Sequence, residues 1–383
     1  MKAQFLIFIA VVISVLALAS VYVGWRMAAN STWIRSHSGI LWFSFGLFLF
    51  LQILGPYLYR VLPDHQHRLF VVHWAIYMAL GVFACVFFYT LAADALLLLA
   101  RLVFGWQRGG VFGSWGLGIV VILTLFTVVV GVIQTASGPR LYDVEVPIPN
   151  LPEALDGFRI VQVSDLHVGP TIGREYAAKV VAKVNDLRPD LVALTGDLID
   201  GTVPQLQEAV APLSGIRSIH GMFYVPGNHE YYWGVNDWLA ELKRLGAHVL
   251  VNAHEVILRN GAELTIAGVT DDQAAEIVPE QALDVGKAAS GAPEGSLKIL
   301  LSHRPTHYEE AARNGFRLQL SGHTHGGQFF PWSLVVAMAF RFEKGLHRYQ
   351  DLWVYVSRGT GYWGPPIRFG VPPELTLLRL KRV

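Results

Sequence analysis

Hydrophobic positions along this chain obey two different rules. Between residues 4 and 135 they form long unbroken runs, at roughly 4–24, 40–62, 69–92 and 115–135. Each run has about the 20 apolar residues that a helix needs to cross a bilayer. From residue 158 onward the apolar runs shrink to four to six residues, as in RIVQVSD, DLVALTGD, GMFYVPGN, LTIAGVTD, LKILLSH and RLQLSGH. Each ends in Asp, Asn or His, which is the pattern of buried strands closed by turns. Between the first two, REYAAKVVAKVNDL (residues 174–187) carries an amphipathic helical period. The second region is therefore expected to be α/β, with strands side by side and their C-terminal ends on one sheet edge, where α/β proteins bind ligands.

The change of rule sets the domain organisation: an α-helical membrane domain over 1–136 with about four helices, a proline-rich linker over 137–157 that enters an edge strand, and an α/β domain over 158–383. After the third span, residues 94–106 (DALLLLARLVFGW) read as an interfacial helix because Asp94 and Arg101 interrupt the apolar run. Trp25, Tyr57, Tyr59, Trp106 and Trp115 stand near span ends, where amphipathic rings prefer to lie. His73 and Asp94, also near span ends, read as interface residues rather than a proton relay. Residues 1–19 resemble a secretory signal, but three further spans favour a signal anchor with its N-terminus inside. Four crossings then return the α/β domain to the cytoplasm. Basic residues do not decide the matter, since Arg26 and Arg35 in one loop balance Arg60 and Arg68 in the next.

Charge follows the same division. Of 30 Lys and Arg and 29 Asp and Glu, only seven and two lie before residue 139, leaving 23 and 27 in a mildly acidic remainder. No basic run offers a path for a nucleic-acid backbone, and nothing points to an obligate protein partner. Cys85 is the single cysteine and sits in an apolar run. It can form neither an intramolecular disulfide nor a thiolate cluster, so a metal site must draw on His, Asp, Glu or Asn.

Such residues stand at the strand ends. The first strand runs into Asp165 and His167, the second into Asp197, the third into Asn228, His229 and Glu230, and two later ones into His303 and into His323 and His325. In extended backbone, alternate side chains share a face, so Asp165 with His167, and His323 with His325, are each expected to grip one ion. The neighbouring glycines leave room for close approach. Asp271 and Asp272 also follow a strand and read as a turn, while His220, His248, His254, His307 and His347 lack such a setting.

The motifs VSDLHVGPTIGRE, LTGDLIDG, VPGNHEYY, LLSHRP and LSGHTHGGQ resemble the calcineurin-like metallophosphoesterases, and the closing RGTGYWGPPIRFGVPPELTLLRL resembles their branch with an N-terminal transmembrane domain. The resemblance covers about residues 140–383. It implies a four-layer α-β-β-α sandwich and two divalent ions. Asp165, His167 and His325 would hold one ion, Asn228, His303 and His323 the other, and Asp197 both. His229 would donate a proton. An oxygen and imidazole donor set suits manganese, iron, cobalt or zinc better than calcium. The implied reaction is attack of a metal-bridged hydroxide on a phosphodiester or pyrophosphate. Glu230 is a candidate to orient the His229 ring, with a surface carboxylate as the alternative. Thr306 departs from the family, whose members often carry an acidic residue there.

Residues 329–340 (FFPWSLVVAMAF) read as a buried core segment, with an apolar lip for an acyl chain as the alternative. Arg358 and Arg368 read equally as phosphate contacts or structural salt bridges. A membrane enzyme of this kind suits a lipid-linked substrate, and the family's hydrolases of UDP-2,3-diacylglucosamine make that one candidate. The rival reading is a non-catalytic membrane sensor or transporter subunit that binds a phosphorylated ligand.

Overall fold

Long helices occupy the first third of the chain: α1 (Lys2–Asn30), the short α2 (Thr32–Ser36), α3 (Ser38–Val61), α4 (Gln66–Phe104) and α5 (Ser114–Ala136). The structure, a computed structural model, describes residues 2–61, 66–105 and 114–383. It falls into two units, Met1–Ile133 with Gly364–Phe369, and Gln134–Trp363 with Gly370–Val383.

Among the described residues of the helical unit, four stretches are long and apolar enough to cross a membrane: Ala10–Asn30, Ser38–Val61, Leu69–Phe104 and Gly116–Ala136. Residues 94–104 continue α4 without a break, so they do not form the separate interfacial helix expected from the charges. The physical reason lies in α1, where Arg26 and the Tyr22 hydroxyl both donate to the Asp94 carboxylate, the latter at 2.6 Å. A paired carboxylate no longer has to reach water. His73 is held by the helices themselves. It is buried, with its ring nitrogens 2.9 Å from the Leu69 carbonyl and 3.1 Å from that of Gly55 on α3. Tyr59 is buried against it, whereas Trp25 and Tyr57 are exposed. Trp106, Arg108 and the Trp115 side chain lie outside the described residues. Residues 364–369 belong to this unit because Gly81 and Gly131 admit Ile367, and Arg368 N–H donates to the Gly131 carbonyl at 3.2 Å. A Cβ on Gly131 would stand 2.4 Å from an Ile367 methyl. Arg368 is wholly buried there, which removes it as a phosphate contact.

The second unit begins with β1 (Arg140–Ile148), β2 (Arg159–Val163), α6 (Arg174–Asp186), β3 (Leu191–Thr195), α7 (Val203–Val210), β4 (Met222–Val225), α8 (Asn228–Tyr232), α9 (Val235–Arg244) and β5 (Ala247–Val249). There follow β6 (Ala253–Arg259), β7 (Ala262–Gly268), α10 (Ala274–Ile277), α11 (Val285–Ala289), β8 (Leu297–Leu301), α12 (Tyr308–Arg313) and β9 (Leu318–Ser321). The chain closes with α13 (Trp332–Ala339), β10 (Gly345–Tyr349), β11 (Leu352–Val356) and β12 (Glu374–Arg382).

These strands make two six-stranded sheets, ordered β1-β12-β2-β3-β4-β5 and β10-β11-β9-β8-β7-β6. The single edge suggested by the strand series is thus split between two sheets. The period of two explains the layering. Ile160, Leu191, Ala193 and Phe223 point inward and meet Ile266, Ile299, Leu301 and Leu320 of the other sheet. Val161, Val163, Val192, Leu194 and Tyr224 point outward beneath α6, α7 and α9. Ala267, Leu300, Val354 and Val356 do the same beneath α11 and α12. The result is the four-layer α-β-β-α sandwich. Residues 140–148 of the segment expected as a linker are strand β1, paired in parallel with β12 at the sheet edge.

Candidate metal centre

Five strand ends converge here, three from the first sheet and two from the second. Asp165 and His167 follow β2, Asp197 follows β3, Asn228 opens α8 after β4, His303 follows β8, and His323 and His325 follow β9. Three overlapping groups, each with one donor atom per residue within 4.8 Å of the others, are Asp165 with His167 and His325, His167 with Asp197 and His229, and Asp197 with His303 and His323.

The pleat does not arrange them. Asp165, His167, Asp197, His323 and His325 all take left-handed backbone, with φ of +52°, +51°, +51°, +69° and +51°. The expectation that each such pair grips one ion therefore holds for Asp165 and His167, which share a group although their backbone is not extended, and fails for His323 and His325, which join different groups. Non-glycine residues in this region carry strain of about 1–3 kcal/mol each, which the surrounding hydrogen bonds must outweigh. Asp165 accepts from His323 N–H at 3.0 Å and from the Ser164 hydroxyl at 2.6 Å. One Asp197 oxygen accepts from His229 N–H at 2.9 Å. Two glycines permit this crowding. A Cβ on Gly227 would lie 2.2 Å from Asp197 Oδ1, and one on Gly322 would lie 2.0 Å from Ser164 Oγ and 2.2 Å from Asp165 Oδ2.

Glu230 does not orient the His229 ring. Its buried carboxylate accepts from the backbone N–H of Gly227, Asp197 and Leu198 at 2.7, 3.0 and 2.8 Å, stapling the β3 and β4 loops together. Burial and then the Asp197 charge raise its carboxyl to about 7. The residue that does orient the ring is Asp200, which the sequence reading overlooked. Its two oxygens take Nδ1 of His229 and, at 3.1 Å, Nδ1 of His167. The signal was its place three residues after Asp197 in GDLID. Trp238, wholly buried on α9, donates through Nε1 to the Gly201 carbonyl at 2.9 Å and secures the loop that carries Asp200.

The electrostatics call for cations. Asp165, His167, Asp197 and His303 are at most 2% exposed. Burial lifts the Asp165 carboxyl above its usual range, only partly opposed by His303. Burial also works against the Asp197 carboxylate, yet His303 and His229 hold it well below that range. On the other side of these pairs, burial opposes charge on His303 and His229, but Asp197 outweighs it, helped by Asp200 at His229. The imidazoles rise to about 10 and about 9. His323 falls well below its usual value through burial and the His303 charge.

Two contacts test whether divalent ions fit. Nε2 of His167 and Nε2 of His325 face each other at 3.1 Å, while His167 Nδ1 is committed to Asp200. His303 Nδ1 donates to the Thr195 carbonyl at 2.8 Å, which aims Nε2 at Asp197 Oδ2, 3.1 Å away, and at His323 Nδ1, 3.2 Å away. With Nδ1 held by Asp200 in one ring and by the Thr195 carbonyl in the other, His167 and His303 both aim Nε2 into the site, the atom a metal ion would take. The Asn228 Oδ1 atom is buried with no hydrogen-bond partner among the described residues, an acceptor left for a cation.

Around this centre, the Asp271–Asp272 pair does more than make a turn. Asp271, almost fully buried, accepts from Gln273 N–H at 2.9 Å and from Arg304 Nε at 2.9 Å. After burial and the His303 charge, the Arg304 charge also disfavours protonation of His323. Thr306 donates to Asp272 at 3.0 Å. Arg358 is paired with the buried Glu374 at 2.5 Å and stacked over Tyr142, so it is structural. No residue of α13 is buried, so the expected core segment is instead an exposed apolar helix.

Residues 158–327 match the family model described as calcineurin-like phosphoesterase. A transmembrane protein with metallophosphoesterase domain from Danio rerio is 32% identical over 398 residues, covering 100% of this chain and 90% of that relative. The protein of the same description from Bos taurus is 33% identical over 377 residues, covering 93% and 80%. An uncharacterised metallophosphoesterase of Campylobacter jejuni is 32% identical over 387 residues, covering 98% and 99%.

Proposed function

The chain belongs to the calcineurin-like metallophosphoesterases that carry a transmembrane part, and from that premise we propose that it hydrolyses a phosphodiester or pyrophosphate. The observation that carries the reading is the convergence of Asp165, His167, Asp197, His303, His323 and His325 into overlapping groups, with a buried Asn228 oxygen that has no hydrogen-bond partner among the described residues on the neighbouring α8. Asp165, His167 and His325 would hold one divalent ion and Asn228, His303 and His323 the other, with Asp197 between the two groups as a ligand available to both. Bound there, two divalent cations supply Lewis acidity toward the phosphoryl group and an activated water.

The protein's own groups do the rest. Asp200 fixes His229 through Nδ1, so Nε2 is the atom that delivers a proton to the leaving oxygen. The His229 and His325 side chains are each 12% exposed, and that of His167 only 1%, so substrate approaches over His229 and His325. Tyr232 and Trp363 flank the His229 ring, with centroids 5.4 and 5.7 Å away. Arg304, held by Asp271, is the side chain best prepared to meet a phosphate oxygen.

The protein is multi-pass, with its N-terminus inside and the catalytic unit on the cytoplasmic side. Its substrate is lipid-linked, and UDP-2,3-diacylglucosamine is a specific candidate. The exposed apolar α13 supports this, because the Phe340 ring after it stands edge-on to His323 at 5.9 Å. The test is hydrolysis of bis-p-nitrophenyl phosphate by the full chain in detergent, with manganese, iron, cobalt or zinc supplied in turn. Turnover that disappears in Asp197→Ala is the expected result. Binding of phosphate without turnover under every metal would instead favour a sensor or transporter subunit. A panel of nucleotide-linked lipids, phospholipids and cyclic nucleotides then separates the substrates.

A further inference from the structure

Residues 329–340 contain no charged side chain and a single hydroxyl, Ser333. Apolar groups exposed this heavily are uncommon on a surface facing water: Phe330 is 39% exposed, Trp332 44%, Leu334 56% and Met338 81%. Helix α13 has eight residues, or about 12 Å of length, too little to cross a bilayer but enough to lie in its surface. Its place is fixed at both ends by the candidate metal centre. A Cβ on Gly327 would stand 2.2 Å from Ser333 Cα, so the loop of His325 rests directly on the first turn. At the other end Phe340 meets His323.

We propose that α13, with Phe330, docks into the headgroup and acyl boundary of a lipid bilayer and brings the mouth of the metal centre to the membrane surface. Three features select a bilayer as the occupant. The same chain carries four helices long and apolar enough to span one. Only residues 137–139 separate α5 from β1, so three residues tether the catalytic unit to the last apolar helix. A tryptophan opens the helix and Arg341 and Lys344 follow it, the order in which aromatic and basic side chains meet a headgroup layer. The docking rests on the membrane-embedded part of the proposed function and not on catalysis. Its consequence for catalysis is that substrate reaches His323 and His325 from the bilayer side.

The experiment uses the full chain reconstituted in vesicles of phosphatidylethanolamine and phosphatidylglycerol. In a Cys85→Ala background, Met338→Cys and, separately, Leu334→Cys carry an environment-sensitive fluorophore, and Gln207→Cys, at an exposed position of α7, serves as the control. The expected result is blue-shifted emission at 338 and 334 that lipid-borne spin labels quench by at least twofold, with aqueous, unquenched emission at 207. Aqueous emission at 338 and 334 overturns the proposal. So does a blue shift that lipid spin labels leave unquenched, which would mean that a second copy or another protein covers the helix. Because nothing is turned over in this measurement, its failure leaves the phosphoesterase reading standing. An inactive enzyme that still shows quenching would leave the docking standing.

Discussion

Asp200 and His229 form one unit: a carboxylate oxygen takes the Nδ1 proton of the ring, and Nε2 is thereby turned toward Asp197, 3.8 Å away. The other oxygen of the same carboxylate steadies His167. One side chain outside the ligand set therefore positions both a ligand and the proton donor.

Asp200→Asn replaces an acceptor for two rings by a group that accepts at one oxygen and donates at its nitrogen. Outer partners of this kind typically contribute 10–100-fold to affinity or rate. The expected outcome is a fall of about 10–100-fold in kcat toward bis-p-nitrophenyl phosphate, with metal content measured alongside. An undiminished kcat would remove Asp200 from its positioning role.

His229→Asn is expected to discriminate between leaving groups. A nitrophenolate departs readily without a proton, whereas an alkoxide needs one. The loss in kcat should be larger for alkyl than for nitrophenyl esters, by about tenfold or more. Equal losses on both would count against His229 as the donor.

Divalent metal should stabilise the fold, because it gives ligand bonds to ring nitrogens aimed into the site and to buried acceptors. At a hundred times Kd, each site adds about 2.7 kcal/mol, visible as a rise in Tm of the detergent-solubilised protein that a chelator reverses. Asn228→Ala should lose part of that rise and one equivalent of bound metal. A full rise in Asn228→Ala would mean that its partnerless oxygen is no ligand.

Gly322→Ala tests the close packing of the β2 and β9 ends. Its Cβ would invade Ser164 and Asp165 at 2.0 and 2.2 Å, and overpacking of this kind costs about 1–3 kcal/mol. Lower Tm should accompany weakened metal binding, since the displaced atom is the Asp165 carboxylate itself. Metal affinity equal to the parent's would show that Asp165 can move without consequence.

Arg304→Ala removes a guanidinium that Asp271 already holds in place. Hydrogen bonds to charged groups contribute about 1.5–3 kcal/mol, which corresponds to a rise of roughly 10–100-fold in KM with kcat less affected. Arg304→Lys should recover only part, since an ammonium lacks the planar fork. A KM unchanged in both variants would place Arg304 outside substrate binding.

The short apolar runs of the sequence correspond to β2, β3, β4, β7, β8 and β9, each followed by the Asp, Asn or His that ends the motif. These were legible because burial on both faces and an abrupt polar stop are local properties of a chain. The strands β5 and β6 had no such signature: β5 has only three residues, and β6 mixes intermediate and exposed positions. That β12, last in the chain, lies between β1 and β2 depends on pairing across more than 200 residues, which no local period encodes.

The sequence by itself determined the two hydropathy regimes, the α/β class of the second unit and the residue types gathered at its strand ends, because each follows from periodicity and side-chain chemistry close in the chain. Tertiary structure alone decided how those residues are used. It bent Asp165, His167, Asp197, His323 and His325 into left-handed backbone, so that Asp165 and His167 still share a group while His323 and His325 do not. It gave ring orientation to Asp200 and left Glu230 to hold backbone N–H groups. It also turned the apolar α13 outward. Hydropathy reports how much a segment gains by leaving water, but which apolar surface takes it in depends on the space that the rest of the chain leaves.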